Sequence, residues 1–224
     1  MEICVPVIDT KINNFLENLN LAQNTDGVDL VELRCDYLEN FDFKNLEIIK
    51  KNLVKSAIFS FAKIKQGGKY EDSVEKWVRI MNIALTIGFE YVEIDFPDAG
   101  LLDLTKKHPQ TKIIYSYNNF NQTPGYRDLR KIQKRMRNIE AIQKFTCQIK
   151  TNKDIENLIR LVVSRKKKDK MIIVPTGKGS KKNKLILPLL GSVINFVTLS
   201  NITNKEELNL NEYQQWQKQL SSMD

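Results

Sequence analysis

Histidine is almost absent from this chain of 224 residues. The only one is His108, against three cysteines and 35 lysines and arginines. His108 follows Lys106-Lys107 and precedes Pro109, which reads as a surface helix end, so a histidine-built metal site is excluded. Cys4, Cys35 and Cys147 are isolated, odd in number and without Cys-x-x-Cys spacing. Each lies in an apolar run, which points to reduced core thiols rather than a disulfide or zinc framework. No apolar stretch approaches the roughly 20 residues that cross a membrane. The opening Met1-Glu2-Ile3-Cys4-Val5-Pro6 has no basic segment and no signal-type apolar core, so a cytoplasmic chain is expected. No Gly-x-Gly-x-x-Gly follows the first apolar run, which counts against a dinucleotide binder. Acidic residues number 27, leaving a formal charge of +8. The excess gathers in lysine runs, Arg165–Lys168 and Lys178–Lys184, without the aromatic interleaving of RNA-binding motifs. A basic solvated surface, or a site for a small anion, fits this better than nucleic acid.

The chain does have eight short apolar runs: Ile3–Ile8, Leu30–Arg34, Ala57–Ala62, Tyr91–Asp95, Lys112–Tyr117, Ile142–Gln148, Met171–Pro175 and Asn195–Leu199. Continuous apolar runs of this length suit strands covered on both faces. Between them the apolar period shifts to that of a helix. Ile12, Phe15, Leu16, Leu19 and Ala22 share one face, as do Val74, Trp77, Val78 and Met81, and Ile155, Leu158, Ile159 and Val162. Asp72 and Asn152 are candidate helix caps, and Gly88 fits a helix C-terminus. Eight strands, each followed by a helix, predict a single compact (β/α)8 TIM barrel over residues 1–224, with an open doubly wound sheet as the alternative.

A barrel places chemistry at the carboxyl ends of its strands. Those ends offer Glu32 and Arg34, Ala62, Glu93 and Asp95, Ser116 and Asn118, Lys144, and the loop from Thr176 to Lys184. Residues two apart on a strand share a face. Glu32 and Arg34 are therefore expected to form a charged pair at the mouth, structural or substrate-binding. Ser116 and Asn118 share a face too, although Asn118 has no titratable proton. Lys144 faces with Ile142 and Thr146. Burial and neighbouring positive charge would lower its pKa and leave an amine able to attack a ketone. The Thr176–Lys182 segment is Gly-rich and basic without being a Walker loop, and reads either as an anion-binding loop or as a solvated one.

The ordered set of these pieces resembles the type I 3-dehydroquinate dehydratase family nearly end to end. Ile3–Val7 is similar to its first strand, Asp29–Leu38 to its second-strand signature and Tyr91–Asp95 to its fourth strand. Gln66-Gly67-Gly68 is similar to its Glu-Gly-Gly loop. Ser116–Phe120 with Thr123-Pro124 is similar to its Ser-Tyr-His-Asp-Phe and Thr-Pro element, and Leu190-Gly191-Ser192 to the segment before its last strand. The resemblance implies a lyase of the shikimate pathway and of aromatic amino acid biosynthesis that needs no metal or cofactor. A lysine, here Lys144, would form a Schiff base with dehydroquinate, and the iminium would act as electron sink for proton removal and loss of water.

Several family positions differ. The catalytic histidine falls at Asn118, a third-strand arginine at Ala62 and the loop acid at Gln66. The arginine gripping the substrate carboxylate falls near Lys184, and its companion serine and glutamine near Thr203 and Glu207. Glu32, Arg34 and Lys144 are kept. Loss of a general acid–base typically costs about 10²–10⁴ in rate. The expectation is therefore a divergent or impaired Schiff-base lyase, its catalytic positions Lys144 and Asn118 and its substrate-binding positions Glu32, Arg34, Ser116 and Lys184. Its partner would be a small carboxylate such as 3-dehydroquinate, with neither nucleic acid nor membrane, and a homodimer is admitted. The alternatives are a pseudoenzyme of the family that binds a small anion or a protein, and a barrel enzyme with different amine or phosphate chemistry.

Overall fold

The structure is a computed structural model that describes residues 1–71, 73–102, 110–137, 141–199 and 207–222. Eight parallel strands run in the order β7-β6-β5-β4-β3-β2-β1-β8. They are β1 (Glu2–Val7), β2 (Leu30–Arg34), β3 (Ser56–Ser60), β4 (Tyr91–Asp95), β5 (Lys112–Asn119), β6 (Ile142–Gln148), β7 (Met171–Thr176) and β8 (Ile194–Phe196). The edges meet where Val193 N–H donates to Met171 C=O at 2.9 Å and Ile173 N–H donates to Ser192 Oγ at 3.1 Å. The sheet thereby wraps into a nearly closed (β/α)8 barrel.

Around it lie α1 (Ile12–Gln23), α2 (Phe43–Lys51), α3 (Val74–Ile87), α4 (Tyr126–Met136), α5 (Asn152–Val163), α6 (Ser180–Ile186) and α7 (Leu210–Ser221). The apolar stripes act as expected: Phe15, Leu19 and Ala22 of α1 and Trp77 and Met81 of α3 are buried against the sheet. The expectation of a helix after every strand needs correction. The described residues after β4 form a 3-10 segment, Phe96–Leu101, with Pro97 in its first turn. The third run leaves the sheet at Ser60, two residues early, and β8 has only three residues. Gly88 does end α3 in the left-handed conformation, at φ 79°. Asn152 is not a cap: Thr151 precedes the helix, its N–H donating to Asp154 Oδ2 at 2.8 Å while Asn152 is the first helical residue. Asp72 lies outside the described residues, and the α3 cap is Ser73, which accepts from Lys76 N–H. His108 also lies outside them. All three cysteines are buried and free, and burial pushes the Cys147 thiol up to about 12.

Two cores result from strand alternation. Outward residues such as Phe59, Val92, Phe145 and Ile173 pack under the helices. Inward residues Cys4, Leu30, Ile58, Tyr91, Ile114, Ile142, Ile172 and Ile194 make an apolar floor inside the barrel. Each inward stripe then changes character toward the carboxyl end: Leu30 is followed by Glu32 and Arg34, Tyr91 by Glu93 and Asp95, Ile114 by Ser116 and Asn118, and Ile142 by Lys144 and Thr146. The floor makes the barrel a packed body and leaves the chemistry at one end.

The loop after β3 is tied to that end by glycine. A Cβ on Gly68 would meet the Ala62 carbonyl oxygen at 1.9 Å, whereas one on Gly100 would meet nothing within 4 Å. Gly68→Ala should therefore cost about 1–3 kcal/mol in urea denaturation, an overpacking penalty. Gly100→Ala should stay within about 0.5 kcal/mol of the parent.

Candidate functional site

Above the floor the barrel opens into a cavity of about 430 Å³ lined by side chains from all eight strands or the loops that follow them. Lys144, Asn118, Glu32, Arg34, Ser116 and Lys184 all line it, and so do Ala62, Gln66 and Glu207. Thr203 lies outside the described residues. The Gly-rich segment contributes Thr176 and, from the helix it leads into, Lys184. Its Lys181 points elsewhere and pairs with Glu212 at 2.5 Å.

Lys144 is 7% exposed, and its ammonium lies 2.7 Å from Glu93 Oε2 and 3.3 Å from Glu32 Oε1. The Phe196 ring covers it, with the nitrogen 4.5 Å from the centroid. This corrects the expected neutral amine. Burial does push the Lys144 pKa down, but the Glu32 and Glu93 charges outweigh it, and the net direction is above the ordinary lysine value. The resting amine is a charged group with two counter-ions, not a free nucleophile.

The expected Glu32–Arg34 pair is not formed among the described residues either. Arg34 turns its fork to Asp36, with Nε to Oδ1 at 2.9 Å and Nη2 to Oδ2 at 2.8 Å. The chain leaves β2 at Cys35 in a 3-10 turn, which brings Asp36 back beside Arg34. The Tyr37 ring stacks 4.8 Å from the guanidinium, and the Lys69 N–H donates to Asp36. Burial lowers the Arg34 pKa, the Asp36 hydrogen bonds more than restore it, and the side chain stays charged. Glu32 is thereby left to Lys144.

Asn118 sits within β5, not at a turn after it. Its Nδ2 donates to Asp95 Oδ1 at 3.1 Å and to the buried Ser116 hydroxyl at 3.4 Å. Gln66 Nε2 donates to Asp98 and lies beside Asp95, while Lys63 pairs with Asp98 at 3.0 Å. Asp95 stands in an unusual field. Burial pushes its carboxyl up, and the Asp98 and Glu93 charges add to this. The hydrogen bonds from Asn118 and Gln66 pull it back only in part, and it reaches about 6.

Asp36, Asp95 and Asp98 are the site residues that sequence reasoning leaves unassigned. Asp95 carries a legible signal, since it is two residues beyond Glu93 on one strand face. Asp36 and Asp98 act from 3-10 turns, where strand alternation gives no guide. Among the described residues no cluster of histidine, cysteine or carboxylate is arranged to hold a metal ion.

At the far side Lys184, 5% exposed, is paired with Glu207. The charged lining is then Arg34, Lys144 and Lys184 against Glu32, Glu93, Asp95 and Glu207.

The profile of the family described as Type I 3-dehydroquinase matches residues 3–223. A 3-dehydroquinate dehydratase of Coxiella burnetii is 34% identical over 199 residues, covering 88% of this chain and 84% of the relative. One from Methanococcus maripaludis is 25% identical over 201 residues, covering 88% and 89%. The crystal structure of the 3-dehydroquinate dehydratase from Aquifex aeolicus superposes with a TM-score of 0.81 over 98% of each chain at 22% identity, a likeness of fold.

The Lys184–Glu207 pair has a direct consequence. Glu207→Gln should free the ammonium and remove a like charge, so that a simple carboxylate ligand binds about tenfold more tightly by titration calorimetry, equivalent to about 1.4 kcal/mol. Lys184→Met should abolish that gain in the double variant.

Proposed function

The chain belongs to the type I 3-dehydroquinase family, and from that premise we propose that it is a 3-dehydroquinate dehydratase of the shikimate pathway that works through a Schiff base at Lys144. The observation that carries this reading is the buried Lys144 amine at the barrel mouth, 2.7 Å from one carboxylate and 3.3 Å from another. A lysine needed only for stability would be a poor choice there, because replacing a buried ion pair with apolar residues of similar volume is often neutral or stabilising.

The steps use the residues already described. Glu93, in hydrogen-bond contact with the ammonium, accepts its proton and leaves a neutral amine. The amine adds to the substrate ketone, and Glu93 returns its proton to the hydroxyl of that adduct, which leaves as water and gives a protonated iminium. Its positive charge takes the position of the former ammonium, so Glu32 and Glu93 remain as counter-ions. Electron withdrawal by the iminium makes the neighbouring carbon acidic, which eases the elimination of water. Arg34, held by Asp36, and Ser116 line the wall for substrate hydroxyls. Lys184 takes the substrate carboxylate once Glu207 gives way.

The site departs from the family pattern at Asn118, Ala62, Gln66 and Glu207, and we read it as a remodelled lyase site. A pseudoenzyme that binds a small anion is the second reading, favoured by the charged state of Lys144 and by the capping of Lys184. Borohydride reduction in the presence of 3-dehydroquinate separates the two. The Schiff-base reading expects a stable mass increase on the peptide carrying Lys144, together with dehydroshikimate formation in unreduced samples. A protein that binds the substrate yet traps no adduct is the pseudoenzyme.

A further inference from the structure

Loss of the family histidine leaves the reaction without an evident group to move a proton. The carboxylates of the pocket differ in how free they are. Glu32 and Glu93 are committed to Lys144, Glu207 to Lys184, and Asp98 to Lys63 and Lys65. Asp95 is different: among the described residues it is held by the amides of Asn118 and Gln66, and no ammonium or guanidinium pairs with it. We propose that Asp95 is the proton carrier of this site, taking a proton from the carbon beside the Lys144 iminium and returning it to the departing hydroxyl.

The inference rests on the Schiff-base reading and deepens it. Asp95, Ser116 and Lys144 are in register across β4, β5 and β6, so they lie on one row of the sheet. Strands are about 4.8 Å apart, which separates the Asp95 and Lys144 backbones by roughly 10 Å, a gap for a six-membered ring bound to the amine. The Lys144 nitrogen already reaches β4, where it touches Glu93. Asp95 is the next inward residue on that strand, about 7 Å further toward the opening. A ring that extends from the nitrogen toward the opening brings the carbon beside the imine to the Asp95 side. Asn118 donates to one Asp95 oxygen and acts as a positioning residue, taking up the strand position of the missing imidazole.

The chemistry balances. The Asp95 carboxylate removes the proton, and the carbon–hydrogen electron pair moves to the iminium nitrogen to give an enamine. The enamine pair then expels the hydroxyl on the adjacent carbon, and the Asp95 carboxylic acid protonates it, so that it leaves as water. The regenerated iminium is hydrolysed by a second water to free the ketone and the lysine. A carboxyl that titrates at about 6 can be both base and acid near neutral pH. The charged and polar groups facing it are Glu93 on its own strand, Asp98 from the following 3-10 segment, Gln66 from the β3 loop and Asn118 from β5.

The sign follows from the base role. Asp95 must be ionised, so activity falls as pH drops through about 6. The test measures dehydroshikimate formation and the borohydride-trapped adduct in parallel, with 3-dehydroquinate as substrate, for the parent and Asp95→Asn. The parent should trap the adduct and turn over with an acidic limb near pH 6. Asp95→Asn should trap a comparable adduct, lose about 10²-fold or more in turnover, and lose that limb. It should also be at least as stable as the parent at pH 8, because a carboxyl raised by the fold costs stability once ionised. Asp95→Asn with parental turnover, or a parent that turns over without the limb, overturns the proposal and leaves the Schiff base intact. A parent that traps an adduct without turning over also overturns it. A parent that traps no adduct overturns the reading beneath it. The parent profile needs no variant to fold.

Discussion

The buried ammonium of Lys144, shared between Glu32 and Glu93, is the contact on which the site depends. It joins β6 to β2 and to β4 across the barrel interior. One cation against two carboxylates leaves the trio net negative, so the amine is charged at rest in spite of its burial. Removing Lys144 strands two carboxylates, at a typical cost of about 3–5 kcal/mol, whereas loss of either carboxylate leaves a paired charge. That cost explains why neighbouring residues are arranged to spare the trio other demands. Asp36 satisfies the Arg34 fork, which would otherwise compete for Glu32. Cys4 and Ile142 belong to the apolar floor beneath it.

The fold was legible because the physical code for it is simple. Strands covered on both faces read as apolar runs, and four of the inward stripes change from apolar to polar at the same end. That change alone brings Glu32, Glu93, Ser116, Asn118 and Lys144 together. Pairing was less legible than position. Glu32 and Arg34 share a face, and the nearest partner in sequence suggested a pair, yet Arg34 binds Asp36 from a turn just beyond the strand. A residue that acts from a 3-10 turn escapes period-two reasoning, and so Asp36 and Asp98 carried no signal. The charge state of Lys144 was illegible for a related reason. It depends on carboxylates from strands 112 and 51 residues distant in sequence.

The mouth of the barrel is neutralised largely from within. Arg34 has Asp36, Lys144 has Glu32 and Glu93, Lys63 has Asp98, and Lys184 has Glu207. An anionic ligand therefore enters by exchange: its carboxylate must displace one already there. The internal pairs differ in how readily they yield. Asp36 is fully buried and bound through both oxygens, so Arg34 is a fixed wall. Glu207 keeps 35% of its side chain exposed, so it can rehydrate on leaving. Desolvation makes the buried pair costly to break, while the exposed carboxylate regains water. Lys184 is thus the cation open to a ligand, although Arg34 is the stronger anion-binding group in isolation.

The amides at Asn118 and Gln66 follow from the same balance. The Asp98 charge raises the cost of ionising Asp95, and donors beside the two hold them in one network. Gln66 donates to Asp98, and Asn118 donates to Asp95 from the other side. An acid at 66 would add a third carboxyl to this cluster without supplying a donor in its ionised form. A neutral amide supplies the donor without the charge. Donors this weak lower the Asp95 carboxyl only partly, whereas a lysine or arginine would pull it into the ordinary carboxylate range. An arginine at the position of Ala62, close to this network, would do that. Ala62 brings no such cation, and Asp95 stays raised to about 6. On the proposed reading the residues around Lys144 act together: Ala62 brings no cation, Asn118 and Gln66 bring neutral amides, and one carboxyl is left to carry the proton.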